Sequence, residues 1–155
     1  AIDVSGCTLL QTIDCGYSDK TLETLNVTGC SSLKTLVIND SKLRELDLAG
    51  CPSLVTLTCE HGALQSLDLS PCKALSELNC NKNELTQLDI SCCPEITTVE
   101  VPYNRLSEID ARANKNLEKL DVTYNEAGMN IYLLESHKAW PFELKKDRDA
   151  NVFYE

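Results

Sequence analysis

Written in rows of 21 from Leu33, the chain returns an apolar residue to the same places in row after row. Row position 1 holds Leu33, Leu54, Leu75, Ile96 and Leu117, and position 4 holds Leu36, Leu57, Leu78, Val99 and Leu120. Position 6 carries Ile38, Cys59, Cys80, Val101 and Val122. Position 11 carries Leu22, Leu43, Leu64, Leu85 and Leu106, and position 14 carries Leu25, Leu46, Leu67, Leu88 and Ile109. Position 16 carries Val27, Leu48, Leu69, Ile90 and Ala111, and position 19 carries Cys30, Cys51, Cys72, Cys93 and Asn114. Such register is the mark of a solenoid in which each row is one coil and each column is a stacked layer of core. Ile2, Val4 and Cys7 fit positions 14, 16 and 19, and Leu10, Ile13 and Cys15 fit positions 1, 4 and 6. Two extra residues within 16–21 are expected to bulge as a loop.

Positions 4 and 6 lie two apart, so both point inward from one short extended segment while their neighbours point out. Positions 14 to 16 repeat that alternation. The pattern predicts two rows of short parallel strands. One is centred on Ile13, Leu36, Leu57, Leu78, Val99 and Leu120, the other on Ile2, Leu25, Leu46, Leu67, Leu88 and Ile109. The far side of each coil is too short for an average helix and is expected to be extended or turn. The array covers residues 1–125 in about six coils. Residues 126–155 leave the pattern and are read as a cap, with strands at Asn130–Leu134 and Asn151–Tyr154 and with Trp140 and Phe142 as packing residues.

The stretch Leu-Ser-Glu-Leu-Asn-Cys-Asn-Lys-Asn-Glu-Leu (75–85) resembles the leucine-rich-repeat consensus, with Cys80 where leucine usually stands and Asn83 at the asparagine position. With Leu88-Asp89-Ile90-Ser91 following, the unit is similar to the 21-residue, cysteine-containing repeats of bacterial surface proteins, including a branch of the internalins. The resemblance implies a curved leucine-rich-repeat solenoid, α/β by convention but here mostly β, used for binding and not for catalysis. It also implies export to the cell surface or beyond. One departure stands out: position 9 reads Ser41, Gly62, Asn83, Asn104, Asn125, so the asparagine ladder that satisfies turn backbone is incomplete in the early coils.

Composition narrows the partners. A net charge of −10 disfavours phosphate backbones and anionic headgroups, so nucleic acid and membrane surfaces are not expected ligands. No apolar run reaches the ~18 residues of a spanning helix. Nine cysteines invite a disulfide or metal reading, but most of them fall in inward columns where they act as small apolar residues. Stacked neighbours ~4.8 Å apart match poorly the ~3.8 Å Cβ separation of a disulfide. Buried free thiols are therefore expected, with Cys92, outside both columns, the most exposed. His61 and His137 sit in no metal-binding spacing, and no catalytic motif accompanies them; no cofactor is expected. The column Asp3, Asn26, Asp47, Asp68, Asp89, Asp110 reads as backbone-bonding turn residues rather than a calcium stripe.

Function belongs where the rows differ. Position 5 reads Val37, Thr58, Asn79, Glu100, Asp121, and position 8 reads Asp40, His61, Lys82, Tyr103, Tyr124. Tyr103 and Tyr124 are expected to stack on adjacent coils beside the acidic pair Glu100 and Asp121, with His61 and Lys82 further along the column. Such a platform suits a protein or a carbohydrate ligand. The leading expectation is a non-catalytic module binding through its concave strand face, and the alternative is a spacer that presents another domain. The chain starts without Met, so processing or truncation upstream is expected. An upstream cap is expected over the first coil, and without it the chain is expected to associate end to end through that coil.

Overall fold

Each Leu-x-x-Leu-x-apolar segment forms a three-residue strand whose centre is buried and whose flanks face out. The computed structural model describes residues 1–16, 21–139 and 141–155; the body of the expected insertion (17–20) and Trp140 lie outside them. The strands are β1 (Ile2–Asp3), β2 (Thr12–Asp14), β3 (Leu25–Asn26), β4 (Thr35–Val37), β5 (Thr56–Thr58) and β6 (Glu77–Asn79). Then follow β7 (Thr98–Glu100), β8 (Glu108–Asp110), β9 (Lys119–Asp121), β10 (Asn130–Leu133), β11 (Glu143–Lys145) and β12 (Asn151–Tyr154). The only helical element among the described residues is a 3-10 turn at Glu135–Lys138. The result is a parallel β-solenoid of about seven turns.

The first predicted row is present in full. Seven parallel strands run in the order β11-β9-β7-β6-β5-β4-β2, pairing Ile13 with Leu36, Leu36 with Leu57, Leu57 with Leu78, Leu78 with Val99 and Val99 with Leu120. Leu144 of β11 continues the row beyond Leu120.

The second row needs correction. β1 pairs with β3 at one end, and β8, β10 and β12 form a three-stranded sheet at the other. Between them Leu46, Leu67 and Leu88 are extended but join no strand ladder. The coils are thus joined by a continuous strand ladder on the side of the seven-stranded sheet, the inner face below, and by no ladder over the middle coils of the other. In that column Leu25, Leu46, Leu67 and Leu88 keep 6–9% exposure, whereas Ile109, covered by Ile131 of β10, has 1%.

Away from that gap the columns are dry. Leu33, Leu54, Leu75 and Ile96 are fully buried, as are Leu36, Leu57, Val99 and Leu120. Burying one such side chain contributes about 1.5–3 kcal/mol. Asparagine provides the polar counterpart. Asn104 accepts the Leu85 amide at 3.0 Å and donates to the carbonyls of Cys80 and Val101 at 2.9 and 3.2 Å, tying its coil to the preceding one. Asn83 and Asn125 repeat the arrangement. Gly62 leaves the space Asn83 needs, since a Cβ there would lie 2.6 Å from Asn83 Oδ1. In the earlier coil Ser41 offers only a 3.4 Å contact to the Leu43 amide.

All nine cysteines are free thiols. Cys30, Cys51, Cys72, Cys93 and the pair Cys59/Cys80 are buried, and Cys30 and Cys51 direct their sulfurs at the carbonyls of Val4 and Val27 in the preceding coil. Burial pushes the Cys51 and Cys72 thiols up, to about 11 and about 12. Cys92 is only half-buried, but the most exposed thiol is Cys7, in the first coil, where Ile2 and Leu9 are also exposed. At the other end Asn114 takes the cysteine position and donates to the carbonyls of Ile90 and Cys93. His137 then closes the column: its Nε2 lies 3.1 Å from the Asn114 carbonyl, its Nδ1 accepts the Leu134 amide, and its ring stacks on Phe142.

Candidate functional site

After each inner strand and its inward position-6 residue, the chain must turn so that position 9 faces the core. It does so through a left-handed residue at position 8: Asp40, His61, Lys82, Tyr103 and Tyr124 have φ of 53–58°. A non-glycine residue in this region costs roughly 1–2 kcal/mol, yet none of the five is glycine. Inter-coil bonds hold the turn. The amides of Asp40, His61, Lys82 and Tyr103 donate to the carbonyls of Glu60, Asn81, Pro102 and Thr123, and the Tyr124 amide donates to Asp147 Oδ2 at 2.6 Å. The five side chains therefore form a ridge along one margin of the inner sheet.

The ridge brings together most of the residues singled out from sequence. Tyr103 and Tyr124 stack with ring centroids 4.3 Å apart and planes 13° off parallel. They are 46% and 59% exposed. Lys82 Nζ stands 5.6 Å from the Tyr103 centroid. Tyr103 thus has Lys82 at one face and Tyr124 on the other, leaving its edge to solvent. Desolvation in the stack and the neighbouring Tyr124 hydroxyl push its phenol above the ordinary value. Further along, His61 Nδ1 lies 3.9 Å from Asp40 Oδ1.

Glu100 and Asp121 sit where expected, paired across β7 and β9, but they are not a free acidic pair. Glu100 is ion-paired and hydrogen-bonded to Lys119, which raises the lysine's pKa. Asp121 Oδ1 accepts the Thr123 amide at 3.1 Å and the Thr123 hydroxyl at 2.8 Å. The sequence showed both carboxylates but not their partners, which come from position 3 of the next coil and from two residues on. The left-handed ridge was also missed; its available signal was that no β-branched residue or proline occupies position 8.

The outer aspartate column is committed to turns. Asp3, Asp47, Asp68, Asp89 and Asp110 each accept the amide two residues on, at 2.8–3.0 Å, and Asn26 does the same at 3.1 Å. Those amide bonds hold the Asp3 and Asp68 carboxyls below the usual range, and at Asp110 the Arg112 side chain is the larger cause. No cluster of three or more histidine, cysteine, aspartate or glutamate side chains suited to a metal ion occurs among the described residues.

Neither a protein-family model nor a curated protein matches the chain. Among solved structures it is similar to the functional domain of InlJ from Listeria monocytogenes, which includes a cysteine ladder. The likeness has 25% identity and a TM-score of 0.69, and it covers 99% of this chain and 31% of that one, so the chain spans about a third of its neighbour's length. The cysteine ladder of that domain has its counterpart here in the column of stacked thiols at Cys30, Cys51, Cys72 and Cys93. The chain is an internalin-like leucine-rich-repeat solenoid built around a cysteine ladder.

Proposed function

We propose that the chain is a non-catalytic binding module of an exported bacterial protein, and that it recognises a protein through the inner sheet and the Tyr103–Tyr124 ridge. The observation that carries this reading is the stack itself. Two exposed tyrosines are held in a backbone conformation that would be relaxed by glycine, so the turn alone does not account for them. Tyrosine is favoured at protein interfaces because it brings large, stiff contact area with a polar tip. Of the two rings, Tyr103 is covered on both faces and presents its edge, which suits side-chain contact from a protein better than the flat stacking of a sugar. Export is supported by the likeness to an internalin.

The test probes a displayed library of protein fragments and a glycan array with the native chain and with Tyr103→Ala/Tyr124→Ala. The expected result is fragment binding that the double variant loses at least tenfold while its circular dichroism is unchanged. Glycan binding lost in the same variant would move the ligand class to carbohydrate. Binding indifferent to the variant, or none at all, would favour the spacer reading.

A further inference from the structure

The inner face is electrostatically divided along the solenoid. Toward the C-terminal coils two of its carboxylates are neutralised, Glu100 by Lys119 and Glu143 by Lys145, and Asp121 is held by the Thr123 amide and hydroxyl. Toward the middle coils they are not. Glu60 Oε1 accepts only the neutral Asn79 amide group at 2.8 Å, and Glu77 has a 3.5 Å contact from the Thr56 hydroxyl. Asp40 faces His61 at 3.9 Å. Among the described residues none of the three meets a lysine or arginine. The half of the face next to the tyrosine stack therefore carries three carboxylates that meet no lysine or arginine among the described residues, and its one ridge cation, Lys82, stands against Tyr103.

From this we infer that the face takes a basic polypeptide segment, its lysine or arginine side chains against Asp40, Glu60 and Glu77 and an aliphatic or aromatic side chain against the Tyr103–Tyr124 edge. The inference rests on the binding reading above and names the chemistry of its ligand. Charge complementarity selects the partner: guanidinium and ammonium groups supply donors and positive charge together. Spacing refines it. Glu60 and Tyr103 are two coils apart, ~10 Å at the strand spacing, which an extended peptide covers in about three residues. The ligand thus carries basic and apolar anchors about three residues apart, lying along the solenoid and across its strands.

The probe is a random dodecapeptide display library panned on the immobilised native chain. Its strongest binders are then measured by fluorescence anisotropy against three variants. Glu60→Lys/Glu77→Lys reverses the acceptor face, and Tyr103→Ala/Tyr124→Ala removes the stack. Glu45→Lys/Glu108→Lys makes the same change in net charge on the outer side, where both residues are exposed. Selected sequences should be enriched in lysine or arginine about three residues from an apolar residue. Their affinity should fall at least tenfold in the first two variants, hold in the third, and weaken with salt. Equal loss in Glu45→Lys/Glu108→Lys would reduce the effect to net charge and overturn the inference. Uncharged or acidic binders that still need Tyr103 and Tyr124 would overturn it while leaving the binding reading intact. Binders indifferent to both inner-face variants, or none above background, would overturn both.

Discussion

Asn104→Ala tests whether the asparagine ladder, rather than apolar burial alone, holds adjacent coils in register. The side chain is 7% exposed and makes three well-formed bonds, at 3.0, 2.9 and 3.2 Å, to the Leu85 amide and the Cys80 and Val101 carbonyls. Removing it leaves one buried donor and two buried acceptors without that partner. At about 1 kcal/mol per bond the loss is about 3 kcal/mol. For a chain of this size that lowers Tm by roughly 6–12 °C. Ser41→Ala is the internal comparison, because Ser41 occupies the same column but offers a single long contact of 3.4 Å. Its expected cost is below about 0.5 kcal/mol. Both variants are read by thermal and urea unfolding followed by far-ultraviolet circular dichroism. If Asn104→Ala melts within about 2 °C of Ser41→Ala, the ladder contributes no more than a weak turn contact and the reasoning fails.

Three other outcomes follow from the coordinates. Gly50→Ala should cost more than about 3 kcal/mol by urea unfolding, since φ is +110° and a Cβ would sit 2.5 Å from the Gly29 nitrogen, whereas Gly128→Ala, with open space around it, should cost about 1 kcal/mol; similar values would contradict the close stacking of the first coils. Native thiol labelling should modify Cys7 first, then Cys15 and Cys92, with the six buried thiols slow and all nine reactive after denaturation; fewer than nine would reveal disulfides. Burial raises the folded-state values of Cys51 and Cys72, so the stability they contribute is complete below their unfolded value of about 8.5. It is lost as pH rises through about 11 and about 12, and Tm should fall over that window less steeply in Cys51→Ala/Cys72→Ala.

Legibility from sequence followed the strength of the physical constraint. The inner row was readable to the residue, because a buried ladder position tolerates only apolar side chains of similar size, and Ile13 through Leu120 obey that rule. The second row shares the alternation, yet its strands lapse at Leu46, Leu67 and Leu88, because inward pointing is written in the side chains whereas the spacing between backbones is not. Leu144 and His137 were missed as continuations of the columns because they fall 24 and 23 residues after Leu120 and Asn114, outside the period. At the ridge, position gave Tyr103 and Tyr124 their adjacency. The engagement of Glu100 and Asp121 depended on Lys119 and Thr123, residues that no apolar pattern marks.

The unequal bonding of the two sides makes the molecule an asymmetric spring. Lengthening the inner sheet means breaking seven-stranded backbone pairing, but the outer coils at Leu46, Leu67 and Leu88 share no such ladder and separate or close without losing one. Resistance to a change of arc is therefore concentrated on the inner side, with single bonds such as Gln65 N–H to the Arg44 carbonyl linking the outer coils. A ligand laid along that face can adjust the arc to its own contour while the inner-sheet hydrogen bonds remain intact.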